Sequence, residues 1–252
     1  AKPIVTLELS RPLIPNSNRN RRHGTAPDPR ATIVSADGKP LLASFAAHAT
    51  ALGPENLTYS GDWPGIFSLL TRVAFFPSAI GDASPVTSHV GEPGATDIAL
   101  ALAGSLKSVP STIIGPGELR LITEPIQLAK PTPHPGFAKE YKVPDALAQV
   151  LVDKFAPTEG EVSVLSLGHF AIIGVSGEPT GDVGRRIQDA ARKAGYWDSL
   201  VMSHCNGWIG YVLEPKDYDK GGYEANLAFH GREAADRVVE AAARALARAT
   251  GV

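Results

Sequence analysis

A strand–strand–helix pattern in Val162–Ala194 constrains the fold more than any other part of the sequence. The runs Ser163–Leu167 and Phe170–Val175 are apolar and of strand length, and Gly168 and His169 favour a turn between them. An Arg-rich segment of helical character follows and extends to about Lys193. Strands and helices alternate in this way along the rest of the chain. The sequence therefore predicts the α/β class, with a mixed β-sheet core flanked by helices in a single domain.

Composition excludes several classes of protein. The chain has 252 residues, of which 43% are hydrophobic and 20% charged, so it can bury a sizeable core and is not a disordered chain. A net charge of −2 provides no basic surface for nucleic acid or anionic lipid. The longest apolar stretch, Val162–Val175, is interrupted by polar residues and is shorter than the roughly 20 residues of a membrane span. We expect a soluble protein without a transmembrane segment, and secreted, periplasmic and cytoplasmic locations all stay open.

Cysteine, glycine and proline contents narrow the choice further. The single cysteine, Cys205, excludes an internal disulfide and a cysteine-based zinc knuckle. The 25 glycines and 21 prolines together exceed their usual share of about 12%. Such a chain is rich in loops, which is where binding and catalytic residues are concentrated.

Turn and capping residues locate further elements. Asp37 and Gly38 lie between the apolar runs Ala31–Val34 and Leu41–Phe45, which predicts a β-hairpin. Apolar spacing and capping residues predict helices in four segments. These are Pro64–Arg72, a segment capped by Asp97 that extends to about Leu106, Asp145–Phe155, and about Gly231 to Ala249.

Three strand-to-loop junctions carry polar residues that a core does not need. His48 follows an apolar strand, and Ser84 lies in a tight loop between Gly81 and Pro85. Glu178 comes at the end of a buried strand, directly before a helix. Each position also has a structural interpretation. His48 can be a buried histidine bonded to the backbone, Ser84 a turn residue, and Glu178 a carboxylate at a helix N-terminus.

The standard catalytic motifs do not occur in this sequence. We find no G-x-S-x-G elbow, phosphate-binding P-loop, H-E-x-x-H pair or dinucleotide fingerprint. Periodicity and spacing alone therefore support only an α/β hydrolase-like enzyme, with or without a metal.

Short segments around these junctions follow one another in a distinctive order. They are SFAAHAT at 44–50, SGDWPG at 60–65, GDASP at 81–85, GEPT at 177–180, NGWIGY at 206–211 and GYEA at 222–225. In this order, and in the spacing from Glu178 to Tyr211 and from Tyr211 to Tyr223, they resemble the neutral/alkaline non-lysosomal ceramidase family. The resemblance extends over nearly the whole chain.

The resemblance implies a zinc-dependent amidase with one zinc ion per site. His48, Glu178 and Tyr211 match a histidine, the carboxylate and the tyrosine ligand of that family. Nitrogen and oxygen ligands suit Zn²⁺. Asp62 matches a residue that would orient His48. On residue type alone, Tyr211 can instead be a half-buried strand aromatic, and Asp62 a helix cap.

The resemblance also implies catalytic and substrate-binding residues. Ser84 matches the catalytic serine, which either attacks the amide carbonyl or positions the substrate for attack by water. Tyr223 matches a tyrosine that donates a hydrogen bond to Ser84 or to the developing oxyanion, although a surface aromatic is the structural alternative. Arg21 matches an arginine that contacts substrate, with Arg19 and Arg22 as neighbours that leave the register open.

Two departures from the family pattern shape the remaining expectations. A family histidine ligand, in a His- and Gly-rich motif, has no counterpart before Arg21, and an immunoglobulin-like domain has none after about Val252. We therefore expect residues 1–252 to be the later part of a ceramidase-like catalytic domain. A companion N-terminal chain, from a processed precursor or a neighbouring gene, would supply a further histidine ligand in a hetero-oligomer. The alternative is a three-ligand site.

The sequence thus predicts a zinc-dependent hydrolase of a linear amide bond, ceramidase-like and active on an N-acyl substrate of lipid metabolism. Two alternatives stay open. One is an amidase or esterase that acts on a small soluble substrate with the same site. The other is a non-catalytic partner subunit of a split hydrolase.

Overall fold

Two compact units make up the part of the chain that the structure describes. The computed structural model describes residues 6–106, 110–115 and 117–250. The first unit ends at Gly115 and the second contains the described residues from Gly117 onward. The sequence predicts a single domain, whereas local packing divides the chain near this point, where no long linker marks the boundary.

The N-terminal unit is built from seven strands and two helices among its described residues. They are β1 (Leu7–Ser10), β2 (Asn18–Asn20), β3 (Thr32–Ala36), β4 (Lys39–Phe45), α1 (Asp62–Thr71), β5 (Ala74–Pro77), β6 (Ala83–Pro85), α2 (Glu92–Ser105) and β7 (Thr112–Ile113). Five strands form a mixed sheet in the order β5-β4-β3-β1-β7, in which only β4 and β5 are parallel. The other two strands, β2 and β6, form a separate antiparallel pair.

Aromatic side chains fill the core of the N-terminal unit. Trp63 and Phe67 on α1 are fully buried, as is Phe45 at the end of β4. The Trp63 ring lies edge-on to Phe45 and to Phe75, with centroid distances of 6.3 and 4.8 Å. Truncating a buried aromatic of this size to alanine costs about 3–5 kcal/mol. The packing therefore fixes both ends of the segment between β4 and α1, which contains His48.

The C-terminal unit contains six strands and six helices among its described residues. They are β8 (Leu119–Pro125), α3 (Phe137–Glu140), α4 (Asp145–Phe155), β9 (Glu161–Leu167), β10 (Phe170–Val175), β11 (Glu178–Pro179), α5 (Gly181–Lys193), β12 (Asp198–Met202), β13 (Tyr211–Val212), α6 (Pro215–Asp219), α7 (Tyr223–Asn226) and α8 (Ala234–Thr250).

Four of these strands form a mixed sheet in the order β12-β10-β9-β8. Strands β10 and β12 are parallel, as expected for strands joined through a helix, and the other pairs are antiparallel. Helix α8 packs on β8 and β9, and α5 packs on β12 and on α8. The buried face of α8 is rich in alanine, including Ala235 and Ala242, so the helix can approach the sheet closely.

Most of the predicted elements are present, and the prediction of the α/β class with mixed sheets and flanking helices is confirmed. The helix predicted over Asp145–Phe155 has those bounds in the structure. The helix expected to begin at Asp97 instead begins at Glu92, because Gly91 adopts a φ of +77° and Pro93 starts the first turn. The predicted loop around Ser84 contains the short strand β6.

No helix in the described ranges is long and apolar enough to cross a bilayer.

Candidate functional site

His48 lies three residues beyond the end of β4 and is held by the backbone of β6. The carbonyl oxygen of Ala83 accepts a hydrogen bond from the backbone N–H of His48 at 3.1 Å and another from its ring Nδ1 at 2.7 Å. A carbonyl oxygen can only accept, so Nδ1 carries the ring proton and Nε2 carries the lone pair of the neutral imidazole. Histidines that bind metals are oriented in this way by a backbone carbonyl. The geometry fits the ligand role predicted for His48.

Residues 81–84 connect Ser84 and Arg21, because Ser84 belongs to this segment and Arg21 is hydrogen-bonded to it. Ser84 is half-buried in β6, one residue after the carbonyl that holds His48. The backbone N–H of Arg21 bonds to the carbonyl oxygen of Asp82 at 2.8 Å, and its guanidinium Nη2 bonds to that of Gly81 at 3.1 Å. We call Arg21, His48 and Ser84 the N-terminal cluster, because all three are arranged around residues 81–84.

Arg19, which the sequence leaves open as an alternative to Arg21, also belongs to this region. In the antiparallel pair of β2 and β6, Arg19 lies directly opposite Ser84. Directly opposed residues project their side chains from the same face of a ladder. Arg19 is exposed, whereas Arg21 is half-buried against the backbone. The ladder pairing is a long-range contact, so no local signal in the sequence could have distinguished the two arginines.

Asp62 is hydrogen-bonded to the backbone that follows His48. Its carboxylate accepts hydrogen bonds from the backbone N–H groups of Ala51 at 3.2 Å, Leu52 at 2.9 Å and Trp63 at 2.6 Å. The indole N–H of Trp63 donates to the carbonyl of His48 at 2.9 Å. Asp62 is buried and has a φ of +50°, a conformation that is costly for a non-glycine residue and is retained where the surroundings enforce it. The contacts of Asp62 therefore hold the 48–52 segment, whereas Nδ1 of the His48 ring donates to the carbonyl oxygen of Ala83.

Glu178 and Tyr211 lie side by side in the C-terminal unit. They are paired residues of the short parallel ladder between β11 and β13, and each side chain belongs to a residue only 5% exposed. The backbone N–H of Glu178 donates to the carbonyl of Gly210 at 3.0 Å, which fixes the register. A buried carboxylate next to a buried phenol is a pair of oxygen groups that suits a divalent cation.

Gly210 makes this arrangement possible. Its φ is +91°, and a Cβ atom at this position would lie 2.2 Å from the carbonyl oxygen of Leu227. That carbonyl accepts the backbone N–H of Tyr211 at 3.2 Å. Only glycine lets β13 approach residue 227 this closely, and the approach sets the position of Tyr211.

Two neighbours of Glu178 were not predicted from sequence. The indole N–H of Trp208 donates to Oε1 of Glu178 at 2.7 Å. The ring nitrogen Nε2 of His204 lies 3.8 Å from the same oxygen, and the His204 side chain is 42% exposed. Both residues follow β12 in the segment that precedes Tyr211, and the NGWIGY segment was the available signal for Trp208.

Tyr223 contacts Tyr211 at the start of α7. The two rings are 5.9 Å apart between centroids and inclined at 67°. Tyr223 is 51% exposed, whereas Tyr211 is buried. We call Glu178, Tyr211 and Tyr223 the C-terminal cluster.

The predicted site residues thus form two clusters, each inside one unit. Within the described ranges, no three His, Cys, Asp or Glu side chains converge as a metal site. The predicted set of His48, Glu178 and Tyr211 contains only two side chains of those types. The imidazole nitrogen, the buried carboxylate and the phenol fit the nitrogen and oxygen donors that Zn²⁺ takes.

Comparison with known proteins identifies solved structures that share the fold of this chain. No family model and no curated protein sequence matches the chain. Among solved structures, the neutral ceramidase from Pseudomonas aeruginosa matches with a TM-score of 0.78 over 98% of this chain, at 17% sequence identity. A ceramidase complexed with C2 matches with a TM-score of 0.79 over 98% of this chain, at 15% identity. The chain spans 52% and 54% of the lengths of those two chains. Its fold is that of part of a ceramidase, which confirms the resemblance at the level of fold.

Proposed function

We propose that this chain forms the later part of the catalytic domain of a zinc-dependent hydrolase that cleaves a linear amide bond. The likeness of its fold to two ceramidase structures supports a hydrolase of this type. Because those proteins are ceramidases, we propose an N-acyl amide of the ceramide class as the substrate.

One observation supports the proposal most strongly, namely the pairing of Glu178 with Tyr211 between β11 and β13. A buried carboxylate is costly unless it is hydrogen-bonded, paired with a cation or used to bind a metal. Here it is paired in the ladder with Tyr211, a buried tyrosine that packs with Leu213 and Ala228. The short strand pair, positioned by Gly210, places these two oxygen-bearing residues at neighbouring positions of one ladder.

His48, Glu178 and Tyr211 would hold the zinc ion. When bound, zinc supplies Lewis-acid stabilisation of the negative charge that develops on the amide carbonyl oxygen. The Nδ1–H of His48 donates a hydrogen bond to the carbonyl oxygen of Ala83, so Nε2 is the nitrogen that would be a ligand.

The other predicted residues would act on the substrate. Ser84 would take part in the attack on the carbonyl, either as the nucleophile or as the group that positions the substrate for attack by water. Tyr223 would donate its hydroxyl proton in a hydrogen bond to Ser84 or to the oxyanion. Arg21 would bind the substrate, with its guanidinium anchored on the carbonyl of Gly81.

We also propose that a companion polypeptide supplies a further histidine ligand. The support is the resemblance itself, since only one of the two histidine ligands of the family has a match here. Intact-mass analysis of the active enzyme from its natural source would test this. A second polypeptide whose removal abolishes zinc binding is expected, and full activity from a single polypeptide species would overturn it.

Zinc content and amide hydrolysis, measured together, test the proposed function. The enzyme is purified with any polypeptide that accompanies it, and hydrolysis of fluorescent N-acyl amides of long and short acyl chain is followed before and after chelation. We expect chelation to abolish hydrolysis and zinc to restore it. Glu178→Ala should lose zinc and activity together, whereas Glu118→Ala, which removes a 77% exposed carboxylate in the same unit, should lose neither. Undiminished hydrolysis by the zinc-free enzyme would refute the proposal.

A further inference from the structure

We propose that Trp208 is a positioning residue for Glu178, whose indole N–H fixes the carboxylate in the orientation that binds zinc. The inference rests on the proposed function, because it concerns Glu178 as a zinc ligand. Trp208 has no place among the residues that the sequence singled out as ligands or catalytic groups.

The hydrogen bond itself is the first observation. Trp208 Nε1 lies 2.7 Å from Oε1 of Glu178, at the short end for a nitrogen donor and typical of a bond to a charged acceptor. Glu178 is 5% exposed, so water cannot readily replace the indole as a donor. An indole nitrogen only donates and is neutral, so it orients the carboxylate without adding a charge that competes with a cation.

The indole ring is itself held in place, which a positioning role requires. Trp208 packs against a cluster that contains Phe137 and Phe229, and its ring lies edge-on to Phe229 at a centroid distance of 6.0 Å. Asn206 and Gly207 before it have φ values of +60° and +146°. This left-handed turn redirects the chain after β12 and brings the indole N–H to Glu178.

The position of the hydrogen bond on the carboxylate affects how Glu178 would bind zinc. Trp208 and His204 both lie at Oε1 of the carboxylate. A carboxylate fixed at one oxygen loses its rotation about the last side-chain bond. Groups that hold a metal ligand in this way typically contribute 10–100-fold to metal affinity. We therefore expect the hydrogen bond from Trp208 to raise the affinity of the site for zinc.

The test compares matched tryptophan substitutions by zinc affinity. Trp208→Phe removes the N–H donor and keeps an aromatic ring, and Trp197→Phe makes the same change at a 45% exposed position in the same unit. The zinc dissociation constant is measured by competition with a chromogenic chelator. We expect Trp208→Phe to raise it about 10–100-fold, and Trp197→Phe to leave it within about twofold of the wild-type value, a margin well inside that effect.

A second variant keeps the inference testable if phenylalanine disturbs the packing. Incorporation of 3-benzothienylalanine at position 208 replaces the N–H by sulfur and preserves the shape of the bicyclic ring. It should raise the zinc dissociation constant as Trp208→Phe does, with an unchanged melting temperature of the metal-free protein. Wild-type zinc affinity in this variant would overturn the positioning role.

Glu178→Ala separates the two proposals. If it abolishes zinc binding while the position-208 variants bind zinc normally, the inference about Trp208 is wrong and the proposed function stands. If Glu178→Ala itself binds zinc normally, Glu178 is not a ligand, and both the proposed site and the role of Trp208 fail.

Discussion

The main-chain carbonyl of Ala83 accepts two hydrogen bonds from His48, one from the backbone N–H at 3.1 Å and one from ring Nδ1 at 2.7 Å. A side chain at position 83 plays no part in this contact. The orientation of the imidazole therefore depends on the path of β6, and that strand also carries Ser84. A change that moves β6 would disturb the proposed ligand and the proposed catalytic serine together.

Replacing His48 by alanine should remove zinc and amide hydrolysis together, because the substitution deletes the imidazole that Ala83 orients. Zinc per chain and turnover are measured on the same preparation. His89→Ala is the matched control, since the His89 ring is 65% exposed and bonds to Asp97 at 2.9 Å. Full zinc content in the His48 variant would show that this histidine is not a ligand.

Replacing Ser84 by alanine should reduce turnover at least about 10²-fold, the usual cost of losing a positioned catalytic group. Zinc content and melting temperature should stay unchanged, because the antiparallel pairing of β2 with β6 depends on backbone bonds. The exposed Ser88 offers the control substitution Ser88→Ala. A Ser84 variant with near-normal turnover would leave this residue as a structural part of β6.

Replacing Tyr223 by phenylalanine should lower turnover by about 10²-fold, the lower end of the loss for one oxyanion donor, because one donor to the oxyanion is removed. The ring contact with Tyr211 remains, so zinc affinity and stability should not change. Tyr59→Phe changes a fully exposed tyrosine and serves as the control. A Tyr223 variant that loses zinc would instead point to a role in holding Tyr211.

Glu124 should make the unfolding free energy depend on pH in the acid range. The hydrogen bond from Arg248, and the charges of Arg248 and Arg244, hold the pKa of Glu124 below its usual value of 4.5, although burial opposes them. Because the pKa is lower in the folded state, the carboxylate stabilises the fold above pH 4.5, and this contribution is lost as the pH falls through the folded-state pKa.

The substitution Glu124→Gln tests this. Urea unfolding should give a lower free energy for the variant at pH 7, and the difference from the wild type should shrink as the pH falls below 4.5. Glu118→Gln, which alters an exposed pair with Arg120, should have little effect at any pH. A constant difference at all pH values would mean that the charge of Glu124 is not what stabilises the fold.

Some helices and strands that have a local pattern in the sequence are predicted with their correct bounds. Helix α4 and strand β10 have the predicted bounds, because periodicity and flanking turn residues define them. Strand β6 was missed, because its three residues become a strand only by pairing with β2, which lies more than sixty residues away in the sequence. The boundary between the two units has no local signal either, since it depends on which elements pack together.

The residues of the candidate site also divide into those that a local sequence pattern marks and those that only the fold brings together. His48, Ser84 and Glu178 stand out at strand ends, where a polar residue breaks an apolar pattern. The hydrogen bond from Trp208 to Glu178 joins two segments that meet only in the folded chain, so the NGWIGY segment could mark Trp208 but not its bond to the carboxylate. The register of Arg19 opposite Ser84 was hidden for the same physical reason.

The parallel pairing of β11 with β13 makes the site sensitive to chain length as well as to residue identity. Each strand contributes only two residues, and Glu178 is opposite Tyr211 while Pro179 is opposite Val212. Successive residues of a strand point to opposite faces, so a shift of one residue exchanges every side chain between the faces. One deleted residue between Gly207 and Gly210 would thus present the isopropyl group of Val212 to the carboxylate in place of a phenol. Among related proteins, insertions and deletions should therefore be excluded from this short segment, even where its individual residues vary.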